Sequence, residues 1–105
     1  MLYSESLSKK VKKEEALEKN EQFNLLKVIH HDWKINDHKL SRKFIFDNFK
    51  NAYSFVQKLA NFSENVNHHP EIKLCWGFVE VVIWTHSING LHRNDFIWAA
   101  RVDRL

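Results

Sequence analysis

The sequence predicts an α+β domain: a four-stranded antiparallel sheet with helices on one face, in the order α-β-β-α-β-β-α. Three observations carry that prediction. Apolar residues recur at helical spacing between Phe49 and Ala60, alternating apolar and polar residues flank that stretch on both sides, and only two Gly and one Pro leave little room for loops in 105 residues. The length fits a single domain with one modest core. Eight Phe, four Trp and two Tyr are the composition of an ordered chain.

Residues 4 to 20 read as a charged N-terminal helix, residues 1–20 forming a helix or extension ahead of a domain spanning 21–105. Leu7, Val11 and Leu17 are its sparse apolar positions. Its lysines precede its glutamates, an order opposed to the helix dipole, so the start is expected to fray. Phe23, Leu25, Leu26, Val28 and Ile29 lead into a first hairpin. There Trp33 and Ile35 alternate with polar neighbours, Asn36-Asp37 is the turn, and Leu40, Phe44 and Phe46 form the apolar side of the return strand. Arg42 interrupts that side, which places it at a sheet edge or against a partner chain.

Asp47 is the expected N-cap of a central helix over 48–63, with Phe49, Ala52, Tyr53, Val56, Leu59 and Ala60 on its apolar face. The stripe Phe49-Tyr53-Val56 is expected in the core. Ile72 to Trp76 and Phe78 to His86 read as strands meeting near Gly77. In the second, Val79, Val81, Ile83 and Thr85 share the face toward the helices, and His86 ends the strand beside Trp84 on the other face. A last helix runs from about His92 to Arg104. Asp95 falls in its first turn, where a carboxylate is favoured, behind a weak cap in His92. Phe96, Ile97, Trp98 and Ala100 spread around this helix, so one side is expected on the sheet and another against a second copy.

The net charge of +3 and pI near 9.1 come from basic residues scattered among acids, which argues against direct nucleic-acid binding. Cys75 stands alone and cannot form an intrachain disulfide. No apolar run approaches the roughly 20 residues of a membrane span, and the N-terminus lacks the apolar stretch of a secretory signal. A cytoplasmic protein with no membrane partner is expected.

The chemistry concentrates in the C-terminal half, in His68-His69-Pro70, Trp76, His86 and Asp95. Imidazoles titrate near neutrality, so of two histidines flanking a small molecule one can act as acid and the other as base. Pro70 disfavours helix at His69, which sets the histidine pair on a turn just past the central helix. Zinc is a competing reading of three histidines with carboxylates. Adjacent histidines are an awkward ligand pair, and neither His-x-x-x-His nor Cys-x-x-Cys is present, so no metal is expected. Hydrogen-bonded surface histidines are the plainer reading, and it fits His30, His31 and His38.

The order Glu64, three residues, His68-His69-Pro70, five residues, Trp76, nine residues, His86, eight residues, Asp95 resembles the signature of the pterin-4a-carbinolamine dehydratases. Asp32-Trp33, Arg42 to Phe49, Ala52 to Leu59, Thr85-His86 and Gly90-Leu91 extend the resemblance over the chain from about Trp33 onward. The resemblance implies that the helix end, the strand end and the last helix converge on one corner. It implies dehydration of 4a-hydroxytetrahydrobiopterin to the quinonoid dihydrobiopterin, in tetrahydrobiopterin recycling. The pterin is the substrate and no cofactor is implied.

By that resemblance His68 and His86 act as acid and base in either assignment, His69 positions the substrate, and Asp95 orients a neighbouring histidine. Substrate contacts fall to Glu64, Asn67, His68, His69, Trp84, Thr85, His86 and Ser87. A homotetramer, built as a dimer of dimers, is also implied. The alternative comes from animal relatives that serve as dimerisation cofactors of a homeodomain transcription factor: a non-catalytic coactivator module, present in the nucleus as well.

Overall fold

The computed structural model describes all 105 residues. The elements are α1 (Lys19–Leu26), β1 (Lys34–Asn36), β2 (Lys39–Ile45), α2 (Phe49–Val66), β3 (Glu71–Cys75), β4 (Phe78–Ile83) and α3 (Arg93–Val102). This is the predicted order, with the first helix at Lys19–Leu26 in place of the helix expected over residues 4 to 20. The strands form one antiparallel sheet arranged β1-β2-β4-β3, so the two halves of the chain meet where β2 pairs with β4.

Register fixes the two faces of the sheet. Leu40 pairs with Ile83, Arg42 with Val81 and Phe44 with Val79, while Ile72 and Leu74 stand opposite Val81 and Val79. Leu40, Val79, Val81 and Ile83 are fully buried beneath the helices, each contributing about 1.5–3 kcal/mol of apolar burial. Lys73, Glu80 and Lys43 alternate with them and line the open face.

The hairpin turn is Asp37-His38, one residue later than the sequence suggests. Both residues have positive φ, at 50° and 60°, as two-residue turns matching the sheet twist require. Asp and His tolerate that region better than branched residues do.

The central helix is capped by Asn48, whose side chain accepts from the Asn51 amide at 2.8 Å, rather than by Asp47. Its buried face is Ala52, Phe55, Leu59 and Ser63, rotated from the expected stripe. Phe49 and Tyr53 are each 48% exposed, and Ala60 is exposed too, so the stripe Phe49-Tyr53-Val56 is not core; only Val56 packs partly against it. Phe55 displaces them because it stacks at 4.6 Å on Phe44 and 5.3 Å on Phe46 from the sheet.

The last helix is buried almost all round. Phe96, Ile97, Trp98, Ala99 and Val102 are inaccessible, so Phe96, Ile97 and Trp98 are not available to a second copy. The N-terminal segment covers what the sheet does not. The helix expected over residues 4 to 20 is absent up to Glu18: short 3-10 turns at Leu2–Ser4 and Lys13–Glu15 interrupt an extended strap that enters α1 at Lys19. Leu2 is buried, and Leu7 and Leu17 pack against the core. The strap is stitched to α3 by Glu5 with Arg93, at 2.9 and 2.7 Å, and by a reciprocal pair between the Asn94 amide and the Ser8 backbone. Three isolated leucines anchored one by one replace the face that a helix would need.

Arg42 is not at an edge. It lies on the second strand of the sheet, 2.7 Å from Asp103 just past α3, and Asp103 also accepts from the Trp33 indole at 2.8 Å. A charge is tolerated there because its partner, likewise only partly exposed, lies beside it.

Candidate active site

Local folding sets each histidine. The central helix ends at Val66 and Asn67 adopts a left-handed conformation, φ 53° and ψ 47°, which Asn accepts at low cost. Its amide bonds to the Glu64 carbonyl and that of His68 to the Ser63 carbonyl, closing the helix end and turning His68-His69 away from the axis. Pro70 then starts the path into β3.

On the other side, β4 stops at Ile83, earlier than expected. Thr85 bridges to Gly90, and His86–Ile88 form a 3-10 turn closed by Asn89 in the left-handed region. His86 therefore lies on a turn beyond the strand, not in it. The backbone bonds between Thr85 and Gly90 hold this loop shut, which ends the ladder to the neighbouring strand.

Asp95 is the hub. It has no exposed surface, and its carboxylate reaches His68 Nε2 at 2.6 Å through Oδ1. Its Oδ2 accepts from Thr85 Oγ1 and from the His92 amide, each at 2.9 Å. The last of these is half of a capping box, and the other half is His92 Nδ1 accepting from the Asn94 amide at 2.9 Å. His92 is thus an effective cap, contrary to the expectation of a weak one. An imidazole nitrogen lone pair does the work of a hydroxyl oxygen.

A carboxylate at this distance accepts the shared proton from the His68 Nε2–H tautomer, and His68 Nδ1 makes no hydrogen bond within the chain. His69 is held differently, with Nε2 2.7 Å from Glu64 Oε2 in a largely exposed pair. The His86 ring makes no hydrogen bond within the chain and instead lies parallel on the Trp84 indole, with centroids 4.3 Å apart and planes 11° from parallel.

Asn67, His68, His69, Thr85, His86 and Ser87 line one open cavity of about 250 Å³. Glu64 and Trp84 stand one layer back, each behind a histidine. All eight residues expected to meet a substrate are thus in or directly behind one cavity. Trp76, part of the spacing signature, is 71% exposed at the β3–β4 turn and takes no part. A larger cleft of about 410 Å³ between Arg42, Phe44, Phe55 and Asp103 contains no histidine. Sequence reasoning missed Thr85 as a side-chain donor and underrated His92 as a cap. The three-residue step from His92 to Asp95 was the available signal, since it is the capping-box spacing.

His30, His31 and Asp32 form a second cluster whose ligating atoms lie within 4.8 Å of one another, away from the cavity lining. The Arg42 guanidinium, 3.8 Å from the Asp32 carboxylate, already supplies positive charge there.

The family described as pterin 4 alpha carbinolamine dehydratase matches residues 13–105. A protein of Alkaliphilus metalliredigens, provisionally described as a pterin-4-alpha-carbinolamine dehydratase, is 46% identical over 77 residues, covering 72% of this chain and 69% of the relative. One from Rickettsia canadensis with the same provisional description is 43% identical over 88 residues, covering 83% and 81%. The crystal structure of a transcriptional coactivator/pterin dehydratase from Brucella melitensis superposes with a TM-score of 0.79 at 28% identity, covering 85% of this chain and 96% of that one.

Proposed function

This chain belongs to the pterin 4 alpha carbinolamine dehydratase family, and from that premise we propose that it is a hydro-lyase that dehydrates 4a-hydroxytetrahydrobiopterin to the quinonoid dihydropterin, in tetrahydrobiopterin recycling. The observation that carries the reading is the gathering of His68, His69 and His86 around one cavity, with His68 fastened to a buried carboxylate. Elimination breaks the C4a–O bond and removes the N5 proton. An acid must protonate the departing hydroxyl, which leaves as water, and a base must accept the N5 proton.

His68, with Nε2–H committed to Asp95, offers the Nδ1 lone pair and is the base; Asp95 stabilises the imidazolium that forms. His86 carries neither restraint on its nitrogens, delivers a proton to the hydroxyl and recovers one from solvent. His69, braced by Glu64, positions the bicyclic ring together with the backbone of Asn67, Thr85 and Ser87. No metal or redox group is required by this proton balance. We assign assembly into a homotetramer as part of the same reading.

The coactivator reading, which the Brucella protein's title also carries, needs a protein-binding surface and no histidine cluster. The committed His68–Asp95 pair favours the enzyme. The test is the rate of dehydration of synthetic 4a-hydroxytetrahydrobiopterin above its spontaneous rate.

A further inference from the structure

Two of the three cavity histidines are oriented by carboxylates, His68 by Asp95 and His69 by Glu64. His86 has no such partner, is exposed, and lies on a short 3-10 turn, where its side-chain torsions would otherwise be free. Only the Trp84 indole restrains it, at 4.3 Å and 11°. That indole is in turn held by the Lys39 ammonium, 4.2 Å from its centroid. The arrangement follows from register. Leu40 pairs with Ile83 at the end of the β2–β4 ladder, which brings their neighbours Lys39 and Trp84 together just past it.

We propose that Lys39, Trp84 and His86 form a stacked column in which Trp84 is a positioning residue for His86, with Lys39 fixing the indole. The column rests on the dehydratase reading for its role, though not for its geometry. Parallel stacking fixes the imidazole plane but leaves both nitrogens unbonded. That suits a residue that must pass a proton between a substrate oxygen and solvent, where a carboxylate partner would tie one nitrogen. A cation over an indole within about 6 Å is attractive even at a surface, which lets Lys39 hold the ring in place.

The test joins NMR with steady-state kinetics on 4a-hydroxytetrahydrobiopterin. In the parent protein the His86 ring protons, assigned by their loss in His86→Ala, should be shifted upfield by the indole. Trp84→Leu should move them toward free histidine and lower kcat about 10-fold or more, with KM changed by no more than about 2-fold, since misplacing a reacting group can cost on the order of 10²-fold. Trp84→Phe, which restores an aromatic face, should recover most of kcat and part of the shift. Should Trp84→Leu fail to fold, Lys39→Met is the second probe, expected to reduce the shift and kcat together while KM holds.

A rise in KM with kcat unchanged would make the indole a substrate platform and overturn the proposal. Unchanged kcat with the ring shift abolished would overturn it equally. A parent protein that shows the ring shift but dehydrates no faster than the spontaneous reaction would remove the dehydratase reading and the column's role, leaving only its geometry.

Discussion

His68 and Asp95, 27 residues apart in sequence, meet at 2.6 Å behind the cavity wall, and the same carboxylate caps the helix that carries it. One side chain thereby fastens the turn after α2, the strand end at Thr85 and the start of α3. The orientation of His68, on which the proposed mechanism rests, and the capping of α3 depend on the same group, and the two roles can be separated by substitution.

Asp95→Asn keeps the shape and can still accept at the cap, but no longer compels the proton of His68 onto Nε2. Turnover should fall by roughly 10- to 10²-fold, on the scale of lost acid–base function, with a small change in stability. Asp95→Ala strips the partner from the His92 amide, from Thr85 Oγ1 and from His68. Urea unfolding should show a loss of about 2–4 kcal/mol from the missing cap and the buried donors left unpaired. Unaltered stability of Asp95→Ala would contradict the hub.

For the proposed assembly, α2 replaces α3 as the contact surface. Phe96 and Trp98 are inside the protomer, so a charged residue at either should unfold it, not dissociate it. Phe49 and Tyr53, one turn apart on α2 and each 48% exposed, are the adjacent exposed aromatic side chains we propose for contact with a second copy. Sedimentation should give a tetramer, or at least a dimer, at micromolar concentration, and Phe49→Glu/Tyr53→Glu should give smaller, folded species. A monomeric parent protein would refute the assembly.

Acidification should loosen the tie between Glu5 of the N-terminal strap and Arg93 of α3. The hydrogen bonds from Arg93, followed by its charge, hold the Glu5 carboxyl below the usual glutamate value despite the opposing effect of burial, and Glu5 holds the Arg93 guanidinium above its own. A carboxylate with a depressed folded value stabilises the native state at pH above the ordinary range, and that contribution disappears as pH falls through the depressed value. A carbon-13 titration of the Glu5 side chain should show a midpoint below the ordinary value, restored in Arg93→Gln. A midpoint at or above the ordinary value in the intact protein would show that the strap is not held by this pair in solution.

Element type and order were legible because alternation in β2 and β4 and the helical repeat in α2 are local patterns. What was not legible depended on packing partners far along the chain. Phe55 wins the core from Phe49 and Tyr53 only because Phe44 and Phe46 wait on the sheet, and Arg42 is acceptable only because Asp103 arrives beside it. Residues 4 to 20 carry too few apolar positions to define a helix face, and their leucines are claimed singly by α3 and its surroundings. The site was legible as a set of residues through spacing and resemblance. Its internal wiring was not, because the bond of His68 to Asp95 and the stack of His86 on Trp84 follow from side-chain geometry.

Single replacements His68→Ala and His86→Ala should each lower turnover roughly 10²-fold or more, while His30→Ala, outside the cavity, should leave it near the parent value. Activity should withstand a chelator. Loss on chelation with recovery on added zinc would replace proton transfer by a metal centre.

The central claim is tested most directly by stopped-flow dehydration of synthetic 4a-hydroxytetrahydrobiopterin, with the spontaneous rate subtracted, comparing the parent protein with folded His68→Ala/His86→Ala. The account predicts catalysed formation of the quinonoid dihydropterin by the parent and a rate indistinguishable from the spontaneous one for the double variant. Full activity in the double variant, or none in the parent, would contradict it.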